Sequence, residues 1–133
     1  MGGTKTMIAI GIGCRSGARK EAIIALVTEA RTRIAADEMP SLFTYEGKRN
    51  EDGLTAAAQA LSLPLTYLSH EALQAVADKI MTHSEAAEKA LGLPSIAEAA
   101  ALAGCGVGAQ LRVPRMTSDG VTCAIAVSEG GGQ

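Results

Sequence analysis

The chain has 133 residues, a length that suits one domain with a core that needs no disulfide or metal to hold it. Hydrophobic residues make up 47% of the chain but aromatic residues only 2%, so the sequence does not suggest a surface on which nucleic-acid bases stack. The net charge of −2 provides no basic field that would attract nucleic acid or an anionic membrane.

The first part of the chain has the pattern of a strand followed by a helix. Residues 7–12 are a short apolar run ended by glycine, which is typical of a buried parallel strand. Residues 18–35 then carry apolar side chains on one helical face. We expect Ser16 or Gly17 to cap the start of this helix.

The middle of the chain repeats this alternation. A strand is predicted over residues 41–45, and the polar loop 48–53 leads from it into a helix over 52–61. A third strand follows over residues 63–68, where proline near the start is tolerated. The next helix is predicted over residues 69–80.

The last part of the chain is predicted to hold two helices and a hairpin. Ser84 begins a helix that ends at Gly92, and Ser95 and Glu98 form a capping box before an alanine-rich helix that ends near residue 104. The hairpin consists of strands 110–115 and 121–127, with Asp119 and Gly120 in the turn.

This order predicts a single three-layer α/β domain with a mainly parallel sheet, helices on both faces and a C-terminal antiparallel hairpin. Its predicted bounds are residues 7–128, with a flexible leader over 1–6 and a flexible tail over 129–133. No apolar run is long enough to span a membrane and no signal peptide is evident, which favours a cytoplasmic protein. The three cysteines lack metal-ligand spacing, so we predict no metal, cofactor or disulfide.

The glycine-rich segment 11–17 is the first candidate site. Gly11 and Gly13 would let the backbone approach a ligand, and Arg15 could bind a carboxylate or phosphate. The alternative is that the glycines only form a tight turn. Cys14 is either a nucleophile, with its pKa lowered by a helix N-terminus and Arg15, or a small packing residue. The dinucleotide fingerprint fits poorly and the P-loop lysine is missing, so a nucleotide is the weaker ligand.

The polar loop after the second strand is the second candidate site. It carries Lys48, Arg49 and Glu51 and, in a parallel sheet, should meet the glycine segment at one crevice on the same sheet edge. The alternative is a solvated surface loop. For Ser84 and Glu98, helix capping is sufficient to explain the residue, and we expect the Glu98 carboxylate to bond the backbone near Ser95.

Several segments spread over residues 7–127 occur together in one known family. They are residues 11–15, Lys48, 50–54, 69–73, Ser84, Gly92, 95–102 and 120–126. In this order they resemble the cobalamin-biosynthesis family that comprises CobE and the C-terminal domain of CbiG. The chain departs from the family pattern at Glu46 and Gly47, where a small residue is usual, and at Arg115, where a lysine is frequent.

The resemblance implies a role in building the corrin ring, in the manner of the CobE type of the aerobic pathway. The implied ligand is a carboxylate-rich corrinoid or precorrin intermediate, and other cobalamin-pathway enzymes are possible partners. An alternative is a small hydrolase that opens a ring lactone with Cys14 or Glu51, as CbiG-type proteins do. A structural partner of another enzyme also stays open. The candidate ligand-binding residues are Gly11, Gly13, Cys14, Arg15, Lys48, Glu51, Ser84 and Glu98.

Overall fold

The computed structural model describes residues 6–34, 39–81 and 95–129. Two short 3-10 turns, Glu46–Lys48 and Ala77–Lys79, accompany the regular elements. Those elements are β1 (Thr6–Cys14), α1 (Lys20–Arg31), β2 (Ser41–Tyr45), α2 (Asp52–Leu61), β3 (Leu65–Leu68), α3 (His70–Gln74), α4 (Ile96–Cys105), β4 (Gln110–Ser118) and β5 (Val121–Glu129).

The strands form one five-stranded sheet in the order β3-β2-β1-β5-β4. β1 pairs with β2, and β2 with β3, in parallel. The prediction that the first three strands are parallel is therefore confirmed. β5 pairs antiparallel with both β1 and β4, so the predicted C-terminal hairpin is confirmed as well.

The sheet is mixed, and the prediction of a mainly parallel sheet is not confirmed. The reason lies in the path of α4. This helix starts beside Gly13, near the C-terminal end of β1, and ends where the Cys105 thiol donates to the Met7 carbonyl, near the N-terminal end of β1. β4 then runs back in the direction of β1, and the hairpin returns β5 into the space between them. β5 is therefore antiparallel to β1 over nine residue pairs.

Two buried clusters cover the two faces of the sheet, which confirms the three-layer arrangement. On one face α1 and α2 pack on isoleucines of β1 and on alternate residues of β5. On the other face α4 packs on alanines of β1 and β5. The small side chains on this second face let α4 approach the sheet closely, and this close approach determines where glycine is needed.

The hairpin turn lies where it was predicted, whereas the start of α1 and the ends of β1 and β5 differ from the prediction. Asp119 and Gly120 both have positive φ angles, of 52° and 77°, as the predicted two-residue hairpin turn requires. α1 begins later than predicted: its N-cap is Arg19, which makes no side-chain capping bond, so neither Ser16 nor Gly17 caps it. Thr6 and Glu129, assigned to the leader and tail, pair with each other at the ends of β1 and β5.

Other predictions lie outside the described residues. These are the rest of the leader and tail, and the helix that was to begin at Ser84 and end at Gly92. Within the described ranges, no helix combines the length and apolar character needed to cross a bilayer.

Candidate functional site

The C-terminal ends of β1, β2 and β3 lie side by side at one edge of the sheet. The buried Thr44 hydroxyl of β2 donates a 2.7 Å hydrogen bond to the Ile12 carbonyl of β1, which ties the two strand ends together. β1 continues as far as Cys14 because its backbone pairs with Val121 of β5. The loop after each strand therefore starts from a fixed backbone.

The two predicted loops are in contact at this edge. The Gly17 amide donates a 2.8 Å hydrogen bond to the Glu51 carboxylate, 34 positions further along the chain. A Cβ on Gly53 would lie 2.2 Å from the Ala18 carbonyl oxygen, so the start of α2 also packs directly on the first loop. Glu51 thus holds the two loops together, a role that differs from both the ligand contact and the hydrolytic role considered for it above.

The Cys14 thiol lies within the electrostatic influence of the second loop. Burial has the largest effect and raises the pKa of Cys14, whereas the Lys48 charge lowers this pKa and Glu51 raises it. The net pKa is above the ordinary thiol value, and the cation concerned is Lys48 and not Arg15. Of the two interpretations of Cys14, this direction of the pKa favours the packing residue over the nucleophile, since burial outweighs the neighbouring charge.

We expect Cys14 to react slowly with iodoacetamide at pH 7, and its rate to keep rising beyond pH 9, because only the thiolate attacks and a raised pKa leaves little of it at neutral pH. Rates measured by mass spectrometry of the intact protein would test this. The Cys14→Ser variant gives the background from Cys105 and Cys123, which are both buried. A rate that levels off below pH 8 would contradict the raised pKa and would favour the hydrolase alternative.

Gly11 and Gly13 belong to β1 and are buried beneath α4. A Cβ on Gly11 would lie 1.9 Å from the Ala97 carbonyl oxygen and 2.5 Å from the Ala101 amide nitrogen. A Cβ on Gly13 would lie 2.6 Å from the Thr122 hydroxyl. These glycines permit helix packing, so we leave them out of the proposed ligand site.

Arg15 is exposed and extends along the β4–β5 turn. Its amide donates to the Gly120 carbonyl at 3.0 Å, and its side chain passes over Gly120, where a Cβ would lie 2.5 Å from Nε. The residues lining the cleft of about 390 Å³ beside it are Arg15, Gly17, Arg19, Glu21, Ala22, Ala25 and Asp119. Lys48 and Glu51 lie outside this set, so Arg15 reaches one flank of the edge and Lys48 another.

An aromatic group at the ends of β2 and β3 was not predicted. The Tyr45 and His70 rings meet edge to face, with centroids 6.4 Å apart. The Arg49 guanidinium lies 4.8 Å above the Tyr67 ring, a cation–π contact. The chain has only three aromatic residues besides histidine, and all lie in β2 and β3. That concentration is the signal that could have indicated this surface.

Glu98 lies on the other side of the sheet from α1, in the first turn of α4. Ser95 Oγ accepts a 3.3 Å hydrogen bond from the Glu98 amide, which is the predicted cap. The Glu98 carboxylate is buried and accepts from the amides of Met81 at 2.7 Å and Arg115 at 2.8 Å. This carboxylate therefore joins distant segments and does more than the predicted local capping. Ser84 lies outside the described residues.

The fold and this edge define a three-layer α/β domain whose strand ends carry cationic loops and an aromatic group. The chain matches the family model described as cobalamin synthesis G C-terminus over residues 8–126. It is 29% identical over 121 residues to the protein CobE of Sinorhizobium sp., covering 90% of this chain and 79% of that protein.

Two solved structures are similar in both sequence and fold. The crystal structure of CobE, a protein from the cobalamin (vitamin B12) biosynthetic pathway, superposes with a TM-score of 0.87 at 30% identity, covering 96% of this chain and 94% of that one. The cobalamin biosynthesis protein chiG from Agrobacterium tumefaciens gives a TM-score of 0.68 at 38% identity, with 92% and 98% covered. The chain belongs to the cobalamin synthesis G C-terminal family and is a cobalamin-biosynthesis protein of the CobE/CbiG-like type.

Proposed function

We propose that this protein binds a carboxylate-rich corrinoid intermediate at the C-terminal edge of β1, β2 and β3. The main support for this proposal is the hydrogen bond between Gly17 and Glu51, which joins the two loops. Because the loops are joined, Lys48 and the segment that starts with Arg15 lie at the same edge. Corrinoid precursors carry acetate and propionate side chains, and guanidinium and ammonium groups are their natural partners. The family relationship supports this class of ligand.

The shape of the edge suits a large, flat ligand. Arg15 extends to one flank over the hairpin turn, and the charge of Lys48, on the other flank, acts on the Cys14 thiol at the end of β1. Tyr45 and Tyr67 are half-buried at the ends of β2 and β3, and the pairing of the two strands puts them on opposite faces of the sheet. A macrocycle lying across this edge would place its carboxylates on the cations and its apolar body against one of these rings.

Burial of the Cys14 thiol weighs against the hydrolase alternative, since the raised pKa leaves little nucleophile at neutral pH. Glu51 already accepts the Gly17 amide, which suits a positioning role better than a general base. Binding, protecting or transferring an intermediate in the cytoplasm is therefore the function that we propose, with other pathway enzymes as the donors and acceptors of the ligand.

We expect Arg15→Ala and Lys48→Ala each to weaken corrinoid binding about tenfold to a hundredfold, the equivalent of ~1.5–3 kcal/mol for a hydrogen bond to a charged group. The affinity for cobyrinic acid is measured by absorbance titration. Its methyl ester, which has no free carboxylates, is the ligand control. Lys79→Ala, at an exposed lysine outside the two loops, is the matched protein control. The melting temperature of Arg15→Ala should stay unchanged, because the side chain is exposed.

Three results would contradict the proposal. If the acid and its ester bound equally well, the carboxylates would not be what the edge recognises. If Lys79→Ala reduced affinity as much as Lys48→Ala, the effect would reflect net charge and not a site. Binding of wild type to neither compound would exclude this ligand class.

A further inference from the structure

A second positively charged groove lies away from the two loops, between the end of α1 and the edge strand β4. Its volume is about 450 Å³. The residues that line it are Arg33, Arg112, Val113, Pro114, Arg115 and Met116. Three arginines therefore line the groove, in a chain whose net charge is −2, and no acidic residue lines it in the part of the chain that the structure describes.

The backbone that carries the arginines of β4 is fixed from below. The pairing of β4 with β5 shifts register twice, between Leu111 and Val113 and between Val113 and Met116. At the second shift the Arg115 amide donates to the buried Glu98 carboxylate at 2.8 Å. The Arg115 side chain, half-buried, therefore leaves from a backbone held by α4, which reduces the entropy lost when it binds an anion.

The third arginine is available to a partner. Arg33 forms an ion pair with Glu29 at 3.5 Å, and both side chains are more than half exposed, at 55% and 60%. An exposed pair of this kind contributes little free energy, so an incoming carboxylate can replace Glu29 at small cost.

The chemistry of the groove discriminates between possible occupants. Pro114 has no amide hydrogen and the Arg115 amide is already engaged, so addition of a further strand along β4 is disfavoured. The aromatic residues lie in β2 and β3 and not in this groove, so nucleic-acid bases have nothing here on which to stack. Arginines around exposed Pro114 and half-buried Met116 match carboxylates carried on a partly apolar surface.

We infer that this groove, the arginine groove, docks an acidic, partly apolar segment of a partner protein. Guanidinium groups would bind the partner's Asp and Glu side chains in pairs, while its apolar side chains cover exposed Pro114 and half-buried Met116. Opposite charge would also speed the encounter at low salt. The inference does not depend on where a corrinoid binds, because none of the residues of the arginine groove belongs to the two loops.

The test uses a short fluorescein-labelled peptide in which glutamate pairs alternate with single leucines. Its binding to the protein is measured by fluorescence anisotropy. We expect Arg112→Ala/Arg115→Ala to weaken its binding about tenfold or more, and the corresponding lysine double variant to show a smaller loss, because lysine keeps the charge but not the bidentate geometry. Lys20→Ala/Lys79→Ala removes the same charge elsewhere and should have little effect. A peptide with glutamine in place of glutamate should not bind.

Several outcomes would overturn the inference. They are unchanged binding by the arginine double variant with the melting temperature preserved, an equal loss in the lysine control, and failure of the wild type to bind the acidic peptide. Displacement of the peptide by duplex DNA or by tricarballylate at the same concentration would assign the groove to another anion. Displacement by cobyrinic acid would make the groove part of the corrinoid site, whereas failure of corrinoid binding alone would leave this inference intact.

Discussion

Replacing Glu98 by alanine is expected to lower the free energy of unfolding by about 3–5 kcal/mol, the combined cost of two buried amides that lose their acceptor and of a void in the core. The two carboxylate oxygens accept the amides of Met81 and Arg115, and the side chain is fully buried. Alanine would leave two amides without this acceptor, each costing about 1–3 kcal/mol, and a void beside α4. Urea unfolding followed by circular dichroism measures the change.

Two further variants separate the carboxylate from the cap. Ser95→Ala removes only the N-terminal capping oxygen of α4 and should cost about 1 kcal/mol. Glu98→Gln keeps the volume, but its side-chain NH2 group would face one of the two backbone N–H donors. We therefore expect an intermediate loss in the free energy of unfolding. If Glu98→Ala lowered the free energy of unfolding no more than Ser95→Ala does, the structural role of the Glu98 carboxylate would be contradicted. Loss of corrinoid affinity with unchanged stability would instead return Glu98 to the ligand site.

The elements that could be predicted from the sequence are those set by local patterns. Apolar runs between helical segments predicted β1, β2 and β3 and their parallel order, and the Asp119-Gly120 pair predicted the hairpin turn. The position of β5 was missed because it depends on pairing with β1, which is distant in sequence. A signal was present: β5 is apolar almost throughout, as a central strand must be, while β4 contains Pro114 and arginines, which suit an edge.

At the candidate site, the contact between loops that follow successive strands could be predicted from topology, whereas the contacts that depend on side-chain packing could not. Consecutive parallel strands bring successive loops to one edge, and the two loops do touch there through Gly17 and Glu51, although the cleft beside Arg15 is not lined by Lys48 or Glu51. The pairing of Tyr45 with His70 joins residues from two different strand ends, and no local pattern indicates it. The close packing at Gly11 and Gly13 could not be predicted, because a glycine that admits a helix and one that admits a ligand look identical in sequence.

That distinction can be tested at Gly11, where alanine is expected to lower the free energy of unfolding by about 3 kcal/mol or more, at or beyond the upper end of the range for overpacking. The new Cβ would lie 1.9 Å from the Ala97 carbonyl oxygen and 2.5 Å from the Ala101 amide nitrogen, both in the backbone of α4. A helix backbone cannot rotate away as a side chain can. α4 would have to move outward as a body and lose its contacts with the alanines of β1 and β5.

Gly13→Ala is the matched control on the same face of β1. Its Cβ would meet the Thr122 hydroxyl at 2.6 Å, and this side chain can rotate at the loss of its 3.2 Å bond to the Gly13 carbonyl. That loss should cost about 1 kcal/mol, the usual net value of one hydrogen bond. Equal destabilisation of both variants by urea unfolding would contradict the packing explanation. A Gly11→Ala protein that unfolds like the wild type but no longer binds cobyrinic acid would show instead that the glycine serves the ligand, because only a role at the binding surface separates affinity from stability.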